Sequence, residues 1–67
     1  MTWIYTKDKL PNNFDEVLIT TDYRHNKRKV EIAYYDVHNH YWSNRWEDIE
    51  KQYVTAWMPL PEPAEER

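Results

Sequence analysis

The sequence predicts a mainly β protein, with a small α+β fold as a variant. The expected architecture is an antiparallel meander of three to five short strands with one short helix near residues 45–52. Short runs rich in β-branched and aromatic residues are typical of strands. The chain has no Gly, and Asn and Asp stand between these runs, where they can form tight turns. Such short connections indicate antiparallel pairing, because a parallel pair needs a crossover of about a dozen residues or more.

Four runs are predicted to be strands: residues 3–5, 16–21, 29–36 and 54–58. In the run 29–36, two sets of side chains alternate with a period of two, as they do on the two faces of a strand. One face takes Val30, Ile32 and Tyr34, and the other takes Glu31, Ala33 and Tyr35. The alternation does not decide which face lies in the core. Residues 22–28 would join two of these strands as a hairpin with a basic tip.

A change of period after residue 43 predicts the helix. Asn44 precedes Glu47 by three residues, which is the spacing of a helix-capping box. Trp46, Ile49 and Tyr53 follow the spacing of one helical face.

The size of the chain indicates one small domain that depends on aromatic packing. It has 67 residues, no Cys and four Trp. A chain this short buries only about 60% of its unfolded surface, and without disulfides it must rely on large side chains. We expect a single β-rich domain over residues 1–61 and a frayed acidic tail over residues 62–67.

Charge and hydropathy narrow the class of partner. The formal net charge is −3, which argues against non-specific binding to duplex DNA. No apolar run approaches the length of a membrane span, and the first residues lack the apolar core of a signal peptide. We expect a cytoplasmic protein that does not bind membranes.

A basic run, residues 24–29, stands out in this acidic chain. Such runs are usually solvated turns, but this one could bind an anion. The candidate anion-binding residues are Arg24, Lys27, Arg28 and Lys29.

The sequence contains no pattern that specifies a metal or catalytic site. His38 and His40 could lie on one side of an extended segment, with Asp36 nearby and His25 elsewhere, but a polar turn explains them equally simply. The carboxylates form no recognisable acid–base pair, and there is no Gly-rich phosphate loop or nucleophile motif. We therefore expect no metal, no cofactor and no enzymatic activity.

The order of several short motifs resembles one family. Trp3-Ile4, Leu10-Pro11, a Val-Leu-Ile strand at residues 17–19, Ala33-Tyr34-Tyr35 and the closing run VTAWMPLPEP at residues 54–63 follow one another. This order resembles the domain-of-unknown-function family 551 of small bacteriophage and prophage proteins. The resemblance implies a phage origin and residence in the cytoplasm of an infected or lysogenic bacterium. Relatives usually carry His where this chain has Ala56. The resemblance implies no catalytic activity.

The aromatic residues are the main candidates for an interaction surface. Both faces of the predicted strands are apolar, and one short helix can cover only one face. Two alternatives remain open: an exposed patch containing Tyr35 and Trp57, or a proline tail folded back over that face. The candidate interaction residues are Tyr35, Trp42, Arg45, Trp46 and Trp57.

The leading functional hypothesis is a non-enzymatic protein that binds a bacterial host protein, such as a defence component, by stoichiometric contact. The alternative is a binder of a small nucleotide signal, using the basic hairpin and stacked aromatic rings. A weaker third reading is nucleic-acid contact through the hairpin. In the first two cases a homodimer or higher assembly would help to bury surplus aromatic surface.

Overall fold

The computed structural model describes residues 2–22 and 28–64, and this part of the chain forms one antiparallel sheet. Its six strands lie in the spatial order β1-β6-β2-β3-β4-β5. The mainly β fold predicted from the sequence is confirmed. The strands are β1 (Ile4–Tyr5), β2 (Val17–Asp22), β3 (Arg28–Asp36), β4 (Tyr41–Ser43), β5 (Asp48–Ile49) and β6 (Val54–Pro59).

The sheet is a meander from β2 to β5, and β6 breaks that order. The last strand returns to lie between β1 and β2 and pairs antiparallel with both. The sheet has one strand more than the upper limit of the prediction, and the two-residue strand β5 falls where a helix was expected. The predicted basic hairpin tip, residues 23–27, lies outside the described residues.

The helix predicted over residues 45–52 is wrong. That segment contains a loop, β5 and the start of a single 3-10 turn at Lys51–Tyr53. The Asn44 side-chain oxygen does accept hydrogen bonds from the main-chain N–H groups of Trp46 and Glu47, both at 2.8 Å. However, the N–H of Asn44 donates to the carbonyl oxygen of Glu47 at 3.0 Å. This bond closes a tight turn and sends the chain back along β4, because Asn caps turns as readily as helices.

One face of the sheet forms the core. Ala33 and Tyr35 are buried whereas Val30 and Ile32 are exposed, so the second of the two faces of β3 points inward. Strand pairing places Ala33 opposite Val17, and Tyr35 opposite Trp42. Residues opposite one another share a face. This inner face carries the buried cluster of Val17, Ile19, Ala33, Tyr35, Trp42, Ile49, Val54 and Trp57.

Glu31 belongs to the same set as Ala33 and Tyr35, yet its carboxylate is well bonded. The Thr21 hydroxyl donates to Glu31 Oε2 at 3.1 Å, and the Asn44 amide donates to Oε1 at 3.4 Å. Hydrogen bonds of this kind offset the cost of removing a carboxylate from water.

A bulge in β6 alters the predicted alternation of residues 54–58. Thr20 pairs with Ala56 but Thr21 pairs with Val54, so Thr55 is an extra residue at this point. A bulge shifts the face on which the following side chains lie. As a result, Val54 and Trp57 both join the inner core, although they are three residues apart.

Trp57 lies where the last strand, β6, meets the first strand, β1. It pairs with Ile4 in β1 and with Ile19 in β2. Its indole N–H donates to the main-chain carbonyl oxygen of Lys9 at 2.9 Å. Beyond Pro59, the described tail residues 60–64 are exposed and have no regular structure. The division into a domain at 1–61 and a frayed tail at 62–67 stays a prediction.

The turn between β3 and β4 holds one residue in a left-handed conformation. His40 has φ of 61°, and its N–H donates to the carbonyl oxygen of Asp36 at 2.7 Å. This backbone region is unfavourable for a residue with a Cβ atom, and Gly adopts it without that cost.

We predict that replacing His40 with Gly gives a more stable protein than replacing it with Ala. Both changes remove the imidazole, but only Gly relieves the steric conflict of the left-handed backbone, which is worth about 1 kcal/mol. Urea unfolding of His40→Gly and His40→Ala measures the difference directly. Equal unfolding free energies for the two variants would contradict the prediction.

Candidate interaction surface

Three of the aromatic residues predicted to form an interaction surface are instead part of the core. Trp42 is 1% exposed, Tyr35 5% and Trp57 8%. The rings of Tyr35 and Trp42 pack against each other with centroids 5.1 Å apart. Of the two alternatives left open by the sequence, the exposed patch containing Tyr35 and Trp57 is therefore wrong. These rings belong to the buried cluster on the inner face of the sheet, and Pro59 and Leu60 at the start of the proline tail line a groove together with Trp57.

The outer face of the sheet carries the exposed apolar residues Tyr5, Val30 and Ile32. Strand pairing aligns the side chains of this face in two rows that cross β6, β2 and β3, and the first row begins at Tyr5 in β1. Val30 is 58% exposed and Ile32 45%. Exposed apolar side chains that lie close together can mark interaction sites. The first row is Tyr5, Ala56, Thr20 and Val30, and the second is Met58, Leu18 and Ile32; Ala56 and Met58 are buried within these rows.

Trp46 extends this surface beyond the sheet. Its side chain is 86% exposed, the largest value among the exposed apolar residues of the described chain. Together with Ile32 and Arg45 it lines a shallow groove of about 250 Å³, which Glu31 and Asn44 complete. We call the exposed residues Val30, Ile32 and Trp46 the outer patch. The alternation in the run 29–36 could have identified Val30 and Ile32 if the direction of the core had been known.

The loop that carries Trp46 is fixed at both sides. Asn44 holds the main chain of the loop through the two hydrogen bonds to its side-chain oxygen. Arg45 Nε and Nη2 donate to the two carboxylate oxygens of Glu16 at 3.2 and 3.1 Å. The hydrogen bonds from Arg45 lower the pKa of Glu16 below its ordinary value. Two parallel bonds define the orientation of the guanidinium more narrowly than a single contact would.

A second groove lies on the other side of this ion pair. It has a volume of about 530 Å³ and an apolar floor that includes Pro11, Val17 and Trp57. Asp15 and Glu16 also line this groove. We call it the Trp57 groove, and its remaining lining residues are Asn12, Asn13, Pro59 and Leu60.

The predicted anion-binding residues are only partly described. Arg24 and Lys27 lie outside the described residues. Lys29 is exposed and forms an ion pair with Glu31 at 3.7 Å. Arg28 lines a third groove, of about 400 Å³, together with Trp3, Tyr5, Thr20, Asp22, Thr55 and Ala56. Anion binding by these residues stays a prediction.

His38 and His40, proposed as possible metal ligands, belong to the segment between β3 and β4, whereas His25 lies outside the described residues. Asp36, the third possible ligand, uses Oδ1 to accept the main-chain N–H groups of His38 and Asn39, at 3.0 and 2.9 Å. Its Oδ2 accepts the Asn39 side-chain amide at 3.1 Å. The carboxylate thus organises the turn. Within residues 2–22 and 28–64, no group of three or more His, Asp or Glu side chains is placed to hold a metal ion.

A family model described as "Protein of unknown function (DUF551)" matches residues 2–65. The chain belongs to this family. No curated protein and no solved structure matches it. The hydrogen bond from Trp57 to Lys9 now explains the position of two DUF551-like motifs. It brings the Leu10-Pro11 segment against the Trp-Met-Pro-Leu-Pro run, and both segments line the Trp57 groove.

The described part of this DUF551 protein includes no helix with the length and apolar character needed to cross a membrane.

We predict that Asp36 makes the free energy of unfolding decrease as the pH falls into the acidic range. The hydrogen bonds from the Asn39 main chain and side chain lower the pKa of Asp36 in the folded state, and that from the His38 main chain adds to them. Stability from a carboxyl with a lowered folded pKa is complete above the unfolded pKa of about 4 and is lost as the pH falls through the folded pKa.

The Asp36→Asn variant tests this pH dependence. Asn keeps an oxygen for the two main-chain N–H groups but does not titrate. The difference in unfolding free energy between wild type and variant, measured by urea denaturation from pH 7 to pH 2.5, should shrink below about pH 4. A difference that stays constant over this range would contradict the prediction.

Proposed function

We propose that this DUF551 protein is a non-enzymatic binding protein that contacts a partner protein through its outer patch. The observation that carries this proposal is the exposure of Trp46 next to Ile32, on a loop that is fixed by hydrogen bonds. Trp is one of the residues most often found as an energetic anchor of protein interfaces. The main chain that carries this ring is already fixed, so binding orders fewer degrees of freedom than it would on an unrestrained loop.

The shape of the outer patch favours a protein partner over a small molecule. Its residues are spread over β3 and the loop after β4, and the groove between Ile32 and Trp46 holds only about 250 Å³. Small-molecule sites are usually enclosed cavities of about 300 Å³ or more. A broad, shallow apolar surface matches the core of a protein interface, and Arg45 beside it matches the polar rim.

The resemblance to phage and prophage proteins supports a host protein as the partner. We place the protein in the cytoplasm of an infected or lysogenic bacterium, where it would bind a component of the host, such as a defence protein, in a fixed ratio. A second copy of the chain is another possible occupant of the outer patch. Sedimentation of the isolated protein distinguishes self-association from binding to a host component.

We predict that Trp46→Ala abolishes capture of the partner without unfolding the protein. Trp46 is almost fully exposed, so its removal should leave the unfolding free energy within about 0.5 kcal/mol of wild type. Loss of a central aromatic anchor costs about 2 kcal/mol or more in binding, roughly a thirtyfold weaker affinity. The measurement is capture from lysate of the bacterial host with tagged wild type and variant, quantified by mass spectrometry.

Gln52→Ala is the matched control for this experiment. Gln52 is exposed and donates only to neighbouring Glu50 among the contacts of the described chain, at 2.8 Å. The Gln52→Ala variant should capture the partner at the wild-type level. Ile32→Lys, which places a charge in the outer patch, should lose the partner as Trp46→Ala does. A partner retained equally by all four proteins would refute the proposed surface.

A nucleotide ligand is the second candidate function, and the third groove favours it. Trp3 and Tyr5 offer aromatic faces there, and Arg28 offers a guanidinium for a phosphate group. A ligand that binds only the native state should raise the melting temperature. At a ligand concentration of a hundred times the dissociation constant, it adds about 2.7 kcal/mol to the free energy of unfolding. Arg28→Gln should remove the effect. Unchanged melting across a panel of mono-, di- and cyclic nucleotides would exclude this function.

A further inference from the structure

Strand β3 is longer than the strand that lies beside it. β4 pairs with residues 34–36 of β3, and residues 28–33 lie beyond the end of this pairing. The chain turns from β4 to β5 at Asn44, whose N–H donates to the carbonyl oxygen of Glu47 at 3.0 Å. Among the strands of the described chain, residues 28–33 are therefore paired with β2 alone. We call the side of residues 28–33 that faces away from β2 the open edge of β3.

The hydrogen bonds show which main-chain groups face the open edge. The carbonyl oxygen of Asp36 accepts the N–H of His40, so the main chain of Asp36 faces the side on which β4 lies. In an antiparallel strand, the N–H and C=O of one residue point to the same side, and the side alternates from each residue to the next. The main-chain groups of Arg28, Val30 and Ile32 therefore face the open edge. In the described part of the chain, no hydrogen bond joins these groups to a residue on that side. An edge of this kind is a template for pairing with a further strand.

The side chains along the open edge are complementary to those of a second copy. Lys29 and Glu31 project on the same face, where the Lys29 ammonium lies 3.7 Å from the Glu31 carboxylate. If a second copy pairs antiparallel about a two-fold axis at Val30, Lys29 of each copy lies opposite Glu31 of the other. Directly opposed charges of opposite sign stabilise a strand pair, and charges of like sign destabilise it.

Other registers of the same pairing are less favourable. A two-fold axis at Arg28, Lys29 or Glu31 would oppose two charges of like sign. An axis at Ile32 would require Tyr34, whose main chain already pairs with β4. The open edge therefore favours the register in which Lys29 and Glu31 face each other.

We infer that a second copy of this chain pairs with the open edge, so that two β3 strands join two sheets into one about a two-fold axis at Val30. The two Val30 residues exchange main-chain hydrogen bonds, and Arg28 of each copy exchanges them with Ile32 of the other. This dimer goes beyond the proposed function, because it uses the main chain of the edge and not the exposed side chains of the outer patch. Since residues opposite one another share a face, it brings both outer patches to one side of the joined sheet.

Sedimentation equilibrium of the full chain over a range of concentrations tests the dimer. Wild type should show a monomer–dimer equilibrium, and a chain that stays monomeric at millimolar concentration would overturn the inference. Val30→Pro should raise the dissociation constant at least about tenfold, because it removes the N–H at the axis from both copies. The variant should still fold, since that N–H faces the open edge and Pro is tolerated at such positions.

Val30→Thr is the matched control, because it keeps both the N–H and the branched Cβ atom. It should dimerise as wild type does, and equal dissociation constants for the Pro and Thr variants would contradict the inference. Well-dispersed amide spectra confirm that each variant is folded.

The opposed charges give a second test. Lys29→Glu places two like charges opposite each other on both sides of the axis, which should raise the dissociation constant about tenfold. Lys51→Glu makes the same change of charge at an exposed residue of the 3-10 turn, away from the open edge, and should leave dimerisation unchanged. Equal weakening in both variants would indicate a general charge effect and would contradict the proposed register.

Cross-linking tests the register without weakening the edge. The chain has no Cys, so Val30→Cys introduces a single thiol. At the axis, the two Cα atoms would lie about 5.5 Å apart, within the range of a disulfide. Ile32→Cys places its thiols about 13 Å apart along the strands, too far for a disulfide. Under mild oxidation, Val30→Cys should form the covalent dimer and Ile32→Cys should not. Equal cross-linking of both variants would overturn the register.

The two proposals fail separately. A wild-type chain that neither sediments as a dimer nor cross-links through Val30→Cys refutes the dimer, whatever Trp46→Ala does to capture of a partner. Capture that does not depend on Trp46 refutes the proposed function, even when the dimer forms at the open edge.

Discussion

The fold depends on the position of the last strand. β6 lies between β1 and β2, and Trp57 at its centre contacts both neighbours through strand pairing and the Lys9 segment through its indole N–H. A chain of 67 residues without Cys has no covalent bond to hold its ends together. One large side chain that is both packed and hydrogen-bonded performs this task. The N-terminal strand has only two residues, so without β6 it would have no partner in the sheet.

The small size of the chain also explains why apolar side chains remain exposed on the outer face of the sheet. The described chain provides one sheet and a single 3-10 turn, so no second layer of helices or strands within it covers the outer face of the sheet. Phe14 gives local cover, with its ring centroid 6.4 Å from that of Tyr34. Val30 and Ile32 stay exposed further along the same strand. Exposed apolar side chains on the outer face are therefore a consequence of building a core from so short a chain.

Sequence patterns predicted the strands better than their orientation. The alternation in residues 29–36 located β3, but both of its faces are apolar, so it could not indicate that Ala33 and Tyr35 point inward. The position of Asn44 led to the correct prediction of its hydrogen bonds to the following main chain. The helix predicted after it was wrong, because an Asn side chain can cap a turn as well as a helix. The bulge at Thr55 depends on pairing with β2 and leaves no signal in a single sequence. For the site, Arg45 and Trp46 were predicted residues that proved exposed, whereas Tyr35, Trp42 and Trp57 proved to be core.

The ion pair between Glu16 and Arg45 links two distant segments of the chain at the surface. An exposed pair of this type contributes little to folding stability, because water screens both charges. Its effect is geometric: it joins the start of β2 to the loop that carries Trp46, residues separated by 29 positions in the sequence. The turn at Asn44 and the Ser43 hydroxyl, which donates to the carbonyl oxygen of Glu47 at 3.4 Å, also hold this loop. A bond of small energy can therefore help to position the main chain that carries the most exposed aromatic ring, even though it adds little to folding stability.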